Sequence, residues 1–211
     1  MQKFRNMMLE EILKQLPNKL IKDYSKGDPV YSEGEAADLL YIVQEGIFGL
    51  YFNTPSGKES FLRVFTKGDI FGHRSYFSNS PYHANAVCLK KGKVLIISRE
   101  QCDNICLTSP ALLKQMTKLM AEELGAAETR LAGMADKSVK RRIVEALTYL
   151  KLKNPDHTWT RKEIADFAMS TFESVARVLT ELEEQQLIHR DGRRIEIPDE
   201  AKLIQFAVEN Y

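Results

Sequence analysis

The spacing of apolar residues changes twice along the chain, giving a helical start, a middle of short strands and a helical end. In residues 3–16 the apolar positions recur at helical intervals, and Pro17 ends the pattern. We therefore predict a first helix with one apolar face. That face would consist of Phe4, Met7, Met8, Ile12, Leu13 and Leu16.

From Leu20 to about Arg99 the apolar runs are short, and turns that contain glycine separate them. Regularly spaced short strands of this kind are typical of an antiparallel sandwich or β-roll. Strands are predicted at Pro29–Tyr31, Leu39–Val43, Phe48–Phe52, Ser60–Phe65, Asn85–Leu89 and Lys93–Ile97. Turns are predicted at Lys26-Gly27-Asp28, Glu33-Gly34-Glu35, Glu45-Gly46, Pro55-Ser56-Gly57, Lys67-Gly68-Asp69 and Lys91-Gly92.

A long helical pattern follows Pro110, a residue type that is favoured in the first turn of a helix. Its apolar positions lie three or four residues apart, which is close to a heptad repeat. Because this stripe is longer than a small β-domain is wide, we expect helix 110–135 to pair with a second copy. A single core helix lying on the sheet is the alternative. The expected dimer contacts are Leu113, Met116, Met120, Leu124, Ala127, Leu131 and Met134.

Residues 136–211 carry the pattern of a helix-turn-helix. A first helix is predicted at about 138–150. Further on, Thr160 with Glu163 and Ser170 with Glu173 each match a capping box, the arrangement in which two side chains cap a helix start. Only two residues would separate the helices that these boxes open. The spacing therefore predicts a helix-turn-helix whose second helix covers residues 171–185.

At 100° per residue this second helix has an apolar face and an opposite polar face. The apolar face consists of Val175, Val178, Leu179 and Leu182, and the polar face of Glu173, Arg177, Thr180 and Glu184. Arginine can donate two hydrogen bonds to guanine, and glutamate can accept one from cytosine. Glu173, Arg177 and the neighbouring Ser174 are therefore the expected base contacts. Alternatively, Glu173 only caps the helix and Arg177 is its ion-pair partner.

A basic hairpin is predicted after the second helix. Two short runs, Leu187–Arg190 and Arg194–Ile197, are joined through Asp191-Gly192, a common hairpin turn. Side chains of this hairpin and of the two helices would contact DNA phosphates. The expected phosphate contacts are Thr160, Arg161, Thr171, Thr180, Arg190, Arg193 and Arg194. The order of helix, turn, helix and basic hairpin predicts a DNA-binding winged helix.

The composition adds little to this picture. Thirty basic and 29 acidic residues leave a net charge of +1, so total charge gives no evidence for a nucleic-acid partner. The charged N-terminal pattern is unlike a signal peptide, and no apolar run is long enough to cross a membrane. Cys88, Cys102 and Cys106 are then expected to be reduced thiols. We expect a cytoplasmic protein with no membrane contact.

Four motifs resemble those of the Crp–Fnr family of bacterial transcription regulators. They are Tyr41-Ile42-Val43-Gln44-Glu45-Gly46, Lys67-Gly68-Asp69-Ile70-Phe71-Gly72, Trp159-Thr160-Arg161-Lys162-Glu163-Ile164-Ala165 and Glu173-Ser174-Val175-Ala176-Arg177-Val178-Leu179. The resemblance covers essentially all 211 residues. It implies an α+β fold with an N-terminal antiparallel, jelly-roll-like β-roll sensor domain (1–109), a dimerisation helix (110–135) and a C-terminal winged helix-turn-helix (136–211).

The resemblance also implies a homodimer that binds a near-palindromic site in double-stranded DNA, with RNA polymerase as its protein partner. In this family a Glu-x-x-x-Arg motif on the recognition helix contacts a TGA-type half-site, which places Glu173 and Arg177 on bases. Phe172 stands where members that respond to cyclic AMP often carry arginine. The outer bases of the half-site therefore do not follow from the resemblance.

Cyclic-nucleotide-responsive members carry a glutamate for the ribose, an arginine for the cyclic phosphate and a Thr-Ser pair for the purine. Here His73, His83 and the pair Ala127-Glu128 stand at those positions. Because a neutral histidine cannot replace an always-charged guanidinium, we expect no response to cyclic AMP. The degenerate effector pocket would be lined by Gly72, His73, Arg74, His83, Ala84, Ala127 and Glu128.

Other cofactors lack a complete ligand set, so we expect no cofactor and no metal. No cysteine precedes Cys88, although iron–sulfur members hold most of their ligands ahead of the β-roll. Haem or another small effector on His73 and His83, redox sensing by the thiols, and a ligand-binding module that does not touch DNA are the alternatives. A cupin-like metalloenzyme would need clustered histidines, and the four in this chain are scattered. We therefore expect no enzymatic activity.

Overall fold

The computed structural model describes residues 10–16, 18–54 and 59–209. The described chain divides into two compact units. The first holds the residues up to 52 together with 63–127, and the second holds 53–62 and the residues from 128 onward. Phe4, Met7 and Met8 of the predicted first helix, and the predicted turn at 55–57, lie outside the described residues.

The first unit is built on an antiparallel sheet. Its strands are β1 (Leu20–Tyr24), β2 (Pro29–Tyr31), β3 (Leu39–Asn53), β4 (Glu59–Phe65), β5 (Ile70–Phe71) and β6 (Asn85–Ser98). Strands β1, β2 and β3 pair antiparallel with β6, β5 pairs antiparallel with β3, and the strand order is β1-β6-β3-β4. The helices are α1 (10–15), α2 (His73–Phe77), α3 (Arg99–Thr108) and α4 (Pro110–Asp136), which continues into the second unit.

Strands β3 and β6 each contain two of the predicted strands as one continuous strand. Their central glycines, Gly46 and Gly92, let the two backbones approach closely. A Cβ atom on Gly92 would lie only 2.1 Å from the carbonyl oxygen of Glu45, and Gly46 has a φ of +86°. The register between β3 and β6 shifts on both sides of Glu45. The predicted turns at Glu45-Gly46 and Lys91-Gly92 are therefore wrong: these segments are irregularities within paired strands.

Two groups of side chains fill the first unit. Aliphatic residues of the sheet pack against α1, α3 and α4, with Leu40, Ile42, Leu95 and Ile97 on the sheet side. Aromatic rings fill the interior of the roll, where Tyr31 stacks on Tyr82 with ring centroids 3.8 Å apart. Tyr41 and Phe71 stack beside them at 5.0 Å. Buried aromatic surface of this size stabilises the roll strongly.

The second unit contains the predicted helix-turn-helix and hairpin, and the α+β fold class is confirmed. Its remaining elements are α5 (Val139–Lys153), α6 (Arg161–Ala168), α7 (Phe172–Glu184), β7 (His189–Asp191), β8 (Arg194–Glu196) and α8 (Glu200–Glu209). Ile143, Leu147, Ile164 and Leu182 are completely buried and form the centre of its core. One apolar stripe from each helix supplies this core.

The apolar residues of α4 form two groups, one buried in the first unit and one exposed. Met116 is 7% exposed and packs with Leu112 and Leu119 in the core of the first unit, and Met120 packs against the same core. The helix thus lies on its own β-domain, which is the alternative stated above. The placement of Met116 in a dimer interface is wrong, because the side chain is used inside its own chain.

Three leucines of α4 stay outside that core. Leu113, Leu124 and Leu131 are 39%, 60% and 71% exposed. At about 100° per residue these three side chains share one side of the helix, which lies on the order of 100° around the axis from Leu112 and Leu119. Ala127 is also exposed, and Met134 is half-buried. The exposed leucines are the part of the predicted stripe that is available to a second copy.

Candidate nucleic-acid interface and sensor pocket

The first helix of the helix-turn-helix, α6, begins with the predicted capping box. The Thr160 hydroxyl accepts a hydrogen bond from the backbone nitrogen of Glu163 at 3.2 Å, and the Glu163 carboxylate accepts one from the backbone nitrogen of Thr160 at 2.8 Å. Burial alone would raise the pKa of Glu163, but the His157 ring, whose Nε2 lies 4.0 Å from the carboxylate, and the hydrogen bonds from Thr160 outweigh it and lower that pKa. The carboxylate stays charged and fixes the start of α6.

The second capping box is not formed. Helix α6 ends at Met169, which has left-handed backbone angles (φ 49°), and Thr171 is the N-cap of α7. The Thr171 hydroxyl accepts from the backbone nitrogen of Ser174 at 3.1 Å, so the capping pair is shifted by one residue from the predicted Ser170 and Glu173. The carboxylate of Glu173 therefore has no capping role.

Helix α7 has the two faces that its sequence predicts. Val175, Val178, Leu179 and Leu182 are buried, at 4% exposure or less, whereas Glu173, Arg177, Thr180 and Glu184 are exposed. Within the described residues, Glu173 and Arg177 form no ion pair with each other or with another side chain. The alternative role of Arg177 as an ion-pair partner of Glu173 is therefore not realised in this structure. Both side chains are available to an external partner.

Ser174 lies half-buried beside this exposed face. The Thr171 hydroxyl donates to the Ser174 hydroxyl oxygen at 3.1 Å, which leaves the proton of Ser174 available for another acceptor. Of the predicted base contacts, the structure thus brings Glu173, Ser174 and Arg177 onto one end of α7.

The predicted phosphate contacts divide into free and engaged groups. A phosphate accepts hydrogen bonds, and a hydroxyl has one proton to donate. The hydroxyl protons of Thr160, Thr171 and Thr180 go to Glu163, Ser174 and the Ala176 carbonyl oxygen. The prediction that these three hydroxyls donate to phosphates is therefore corrected. In this structure they serve as caps and internal contacts of the helices.

Arg190 is also corrected. Its Nε donates to the Glu183 carboxylate at 2.8 Å, a second guanidinium nitrogen donates to the same oxygen, and the side chain is only 18% exposed. The hydrogen bonds from Arg190 lower the pKa of Glu183. The pair braces the hairpin against α7, so this guanidinium is not free for a phosphate. Three predicted arginines remain exposed: Arg161 near the Phe172 ring, Arg193 in the hairpin turn, and Arg194, whose Nε forms a surface ion pair with Glu196 at 3.0 Å.

In the first unit, His73 and His83 contact different partners. His73 is 3% exposed, and its Nε2 lies 2.8 Å from a carboxylate oxygen of Glu123 on α4. Arg63 on β4 forms an ion pair with the same oxygen. Burial acts to raise the pKa of Glu123, but His73 and Arg63 lower it overall. This partly buried cluster connects α2, β4 and α4.

His83 is half-buried, and its Nδ1 lies 3.3 Å from the Ser75 hydroxyl. Burial, together with the nearby positive charges of Arg74, Arg63 and His73, lowers the pKa of His83 to about 4. The ring is therefore neutral at neutral pH, which agrees with the prediction that no fixed positive charge stands at this position.

The rest of the predicted pocket is only partly assembled. Gly72 precedes His73 with a φ of +85°, and a Cβ there would press on the Leu39 carbonyl oxygen at 3.0 Å. Ala84 is fully buried and Arg74 is exposed. Ala127 and Glu128 are exposed, and the α4 residue that meets His73 is Glu123, one turn earlier. The placement of Ala127 and Glu128 beside an effector stays a prediction.

Sequence reasoning missed Arg63 and Glu123, although each carried a signal. Arg63 alternates with Phe61 and Phe65, which are both buried, so a charge stands on the inner side of a strand. Glu123 follows Met116 by seven residues and therefore stands on the face of α4 that packs on the sheet. A charge at such a position needs a partner.

The three cysteines are poor candidates for redox-active thiols. Burial raises the pKa of Cys88 to about 11 and that of Cys102 to about 12, and it also raises the pKa of Cys106. Thiols of this kind are poorly reactive. In the part of the chain that the structure describes, no three histidine, cysteine or acidic side chains are grouped as a metal site would require. Among the helices of the described residues, none is long and apolar enough to cross a membrane.

Comparison with known proteins assigns both units. Residues 21–109 match the model of the cyclic nucleotide-binding domain, and residues 141–206 match that of the Crp-like helix-turn-helix domain. The chain is 24% identical over 194 residues to the CRP-like cAMP-activated global transcriptional regulator of Mycobacterium tuberculosis, covering 88% of this chain and 87% of the relative. It is 27% identical over 185 residues to the cAMP-activated global transcriptional regulator CRP of Salmonella typhimurium, covering 83% and 88%.

Among solved structures, FixK2 from Bradyrhizobium japonicum is similar in fold. The two share a TM-score of 0.81 at 21% sequence identity, over 89% of this chain and 96% of FixK2. At this identity the likeness concerns the fold alone.

Proposed function

Because the chain belongs to the Crp–Fnr family of transcription regulators and carries a Crp-like helix-turn-helix DNA-binding domain, we propose that it acts as a homodimer on a near-palindromic DNA site. Residues 171–185 would read the bases, and no cyclic nucleotide would be needed. RNA polymerase is the protein partner that we propose from the family resemblance. One observation carries the proposal. Glu173 and Arg177 are exposed and unpaired on a helix whose opposite face is anchored in the core.

The base contacts follow from the chemistry of these two side chains. An arginine without an internal carboxylate partner can donate two hydrogen bonds to the O6 and N7 atoms of guanine. A glutamate that does not cap its own helix can accept from the N4 amino group of cytosine. Ser174 stands between them with a hydroxyl proton to donate. The other face of α7 is completely buried, so the helix can enter a major groove without losing its own packing.

Dimerisation would use the exposed side of α4. Leu113, Leu124 and Leu131 together offer an apolar stripe on a helix of 27 residues, and such a stripe is stabilised when it pairs with its symmetric copy. Two helix-turn-helix units in a symmetric dimer read half-sites about 34 Å apart, which is one turn of DNA. This geometry makes the expected site near-palindromic.

Independence of cyclic AMP is supported by the charges in the sensor unit. His83 is neutral at neutral pH, so it offers no fixed positive charge to a phosphate. The Arg63 guanidinium is already paired with Glu123. At Arg63 a cyclic phosphate would meet the Glu123 carboxylate, and Arg74, the other guanidinium near His83, is exposed to solvent. Neither is a buried, unpaired cation, and burying a charge without such a partner is costly. The two relatives named above are described as cAMP-activated; in this chain we propose that activation by cyclic AMP is absent.

The test is to select a binding site from random duplexes and then to measure affinities for single-base variants of it. Arg177→Ala should lose about 1–3 kcal/mol on the selected site and relax the preference at one guanine. Glu173→Ala should relax the preference at one cytosine. Arg193→Ala is the matched control in the hairpin turn. It should weaken all duplexes alike and reduce the salt dependence by about one phosphate contact.

Two results would contradict these roles. One is an Arg177→Ala variant that loses specific and non-specific binding equally. The other is a wild-type chain that selects no sequence from the pool at low salt.

A further inference from the structure

The contact between the β-roll and α4 contains a partly buried carboxylate held by two nitrogen groups. We propose that Arg63 and His73 form a binding site for a small carboxylate, and that the chain fills this site with its own Glu123. The clasp of Arg63, His73 and Glu123 would hold α4 on the roll without any external anion. The inference rests on the proposed function, because it explains why an effector is not needed to place the dimer helix.

The geometry of the clasp is that of an anion site. Both nitrogen groups meet the same oxygen, Oε2 of Glu123, with His73 Nε2 at 2.8 Å and Arg63 in ion-pair contact. The side chain of His73 is 4% exposed and that of Glu123 is 17% exposed. A carboxylate shielded from water to this degree is stable only when charged or hydrogen-bonding groups surround it.

His73 has no other polar anchor in the described part of the chain. Its Nδ1 is buried and lacks a hydrogen-bond partner there. The contact with Glu123 is therefore what orients the ring among the described residues. Without the carboxylate, both His73 and Arg63 would need another acceptor.

The charges around the clasp favour one anion. Arg63, Arg74 and His73 all act on His83, which places two guanidinium groups in this region. Within the described residues, Glu123 is the only carboxylate that forms an ion pair with His73 or Arg63. The lowered pKa of Glu123 means that its charge persists at neutral pH. An added anion would have to displace this carboxylate.

The position of Glu123 on α4 links the clasp to the helix packing. Leu112, Met116 and Leu119 bury the preceding turns of the same face in the core. Glu123 continues this face by one more turn, and it does so through charge because it meets Arg63 and His73 instead of apolar side chains. The clasp thus extends the contact of α4 with the roll beyond its apolar part.

The experiment removes the carboxylate and offers a substitute. Glu123→Ala is melted in sodium acetate, in sodium formate and in sodium chloride of equal ionic strength. We expect its melting temperature in chloride to lie roughly 5 °C below that of the wild type. Acetate or formate at tens of millimolar should restore a measurable part of that loss. Wild type and the control Glu122→Ala, an exposed neighbour that pairs with Lys118, should respond equally to all three salts.

A second variant guards against misfolding. Glu123→Gln keeps the size of the side chain and loses its charge. It should show faster amide hydrogen exchange in residues 116–127 than the wild type, while exchange in α7 stays unchanged. The double variant Arg63→Ala, Glu123→Ala should show no rescue by acetate, because the site has lost its fixed cation.

Rescue by acetate and formate that disappears in the double variant would support the proposal. Three results would overturn it: no carboxylate-specific rescue of Glu123→Ala, equal rescue of the double variant, or wild-type exchange rates in Glu123→Gln. Melting and exchange need no DNA. A wild-type chain that failed to bind DNA would count against the proposed function alone.

Discussion

At the scale of single residues, His83 connects burial to the pH dependence of stability. Its pKa is lowered to about 4 in the folded chain by burial and by Arg74 and Arg63, whereas an unfolded histidine titrates near 6.5. Between these values the unfolded state binds a proton that the folded state does not. Stability must therefore fall as the pH decreases from about 6.5 to 4, and this effect is absent above 6.5.

His83→Gln should reduce that dependence. We expect the loss of unfolding free energy between pH 7 and pH 5 to be smaller in the variant by about 1 kcal/mol, a value that allows for solvent screening of the half-buried ring. Urea midpoints at the two pH values would measure it. His189→Gln, at an exposed histidine of the hairpin, is the control and should behave as the wild type. Identical pH dependence in wild type and His83→Gln would show that His83 does not contribute.

At the scale of elements, α4 serves two partners with two faces. Met116 fills the core of its own β-domain, and Leu124 and Leu131 are exposed. If the exposed face forms the dimer, a charge there should act differently from a cavity in the buried face.

Leu124→Glu or Leu131→Glu should therefore yield folded monomers that bind DNA weakly, because a symmetric interface places each new charge close to its own copy. Met116→Ala is the matched change on the other face. It should lower stability by about 2–5 kcal/mol while the protein remains dimeric. Sedimentation at micromolar concentration distinguishes the two results. A wild-type protein that sediments as a monomer under these conditions would be inconsistent with the proposed dimer.

At the scale of the whole molecule, the first unit keeps the family fold, and the proposal that it needs no cyclic nucleotide rests on its charges. Residues 21–109 match the cyclic nucleotide-binding domain, and the interior of the roll is filled by stacked aromatic rings. The position expected to hold a phosphate carries the neutral His83. A cyclic nucleotide-binding fold therefore does not by itself establish that a cyclic nucleotide binds.

Calorimetric titration with cyclic AMP and cyclic GMP should show no binding tighter than about millimolar, which corresponds to roughly 4 kcal/mol. The reason is that neither nearby guanidinium is a buried, unpaired cation, because Arg63 is paired with Glu123 and Arg74 is exposed to solvent. A micromolar dissociation constant for either nucleotide, lost in His83→Ala, would refute this prediction.

The sequence alone predicted the helix-turn-helix and the succession of a helical start, a β-domain and a helical end, although it did not predict β1, β5, α2 or α8. Helical spacing, the capping box at Thr160 and the apolar face of α7 are properties of neighbouring residues, and the structure contains all three. The exposure of Glu173 and Arg177 follows from the same local period. The alternation of short apolar runs with glycine turns was likewise sufficient for an antiparallel first domain, although two predicted turns, Glu45-Gly46 and Lys91-Gly92, lie within strands.

Only the tertiary structure decided how distant residues pair. Gly46 and Gly92 lie in two long strands because the two backbones meet there, and Arg63, His73 and Glu123 come together from three elements. Met116 belongs to the core and not to a dimer seam because the roll covers that side of α4. Periodicity shows which face of an element is apolar, but an apolar face can be buried by its own chain or by another one. That choice depends on long-range contacts, which a local pattern does not contain.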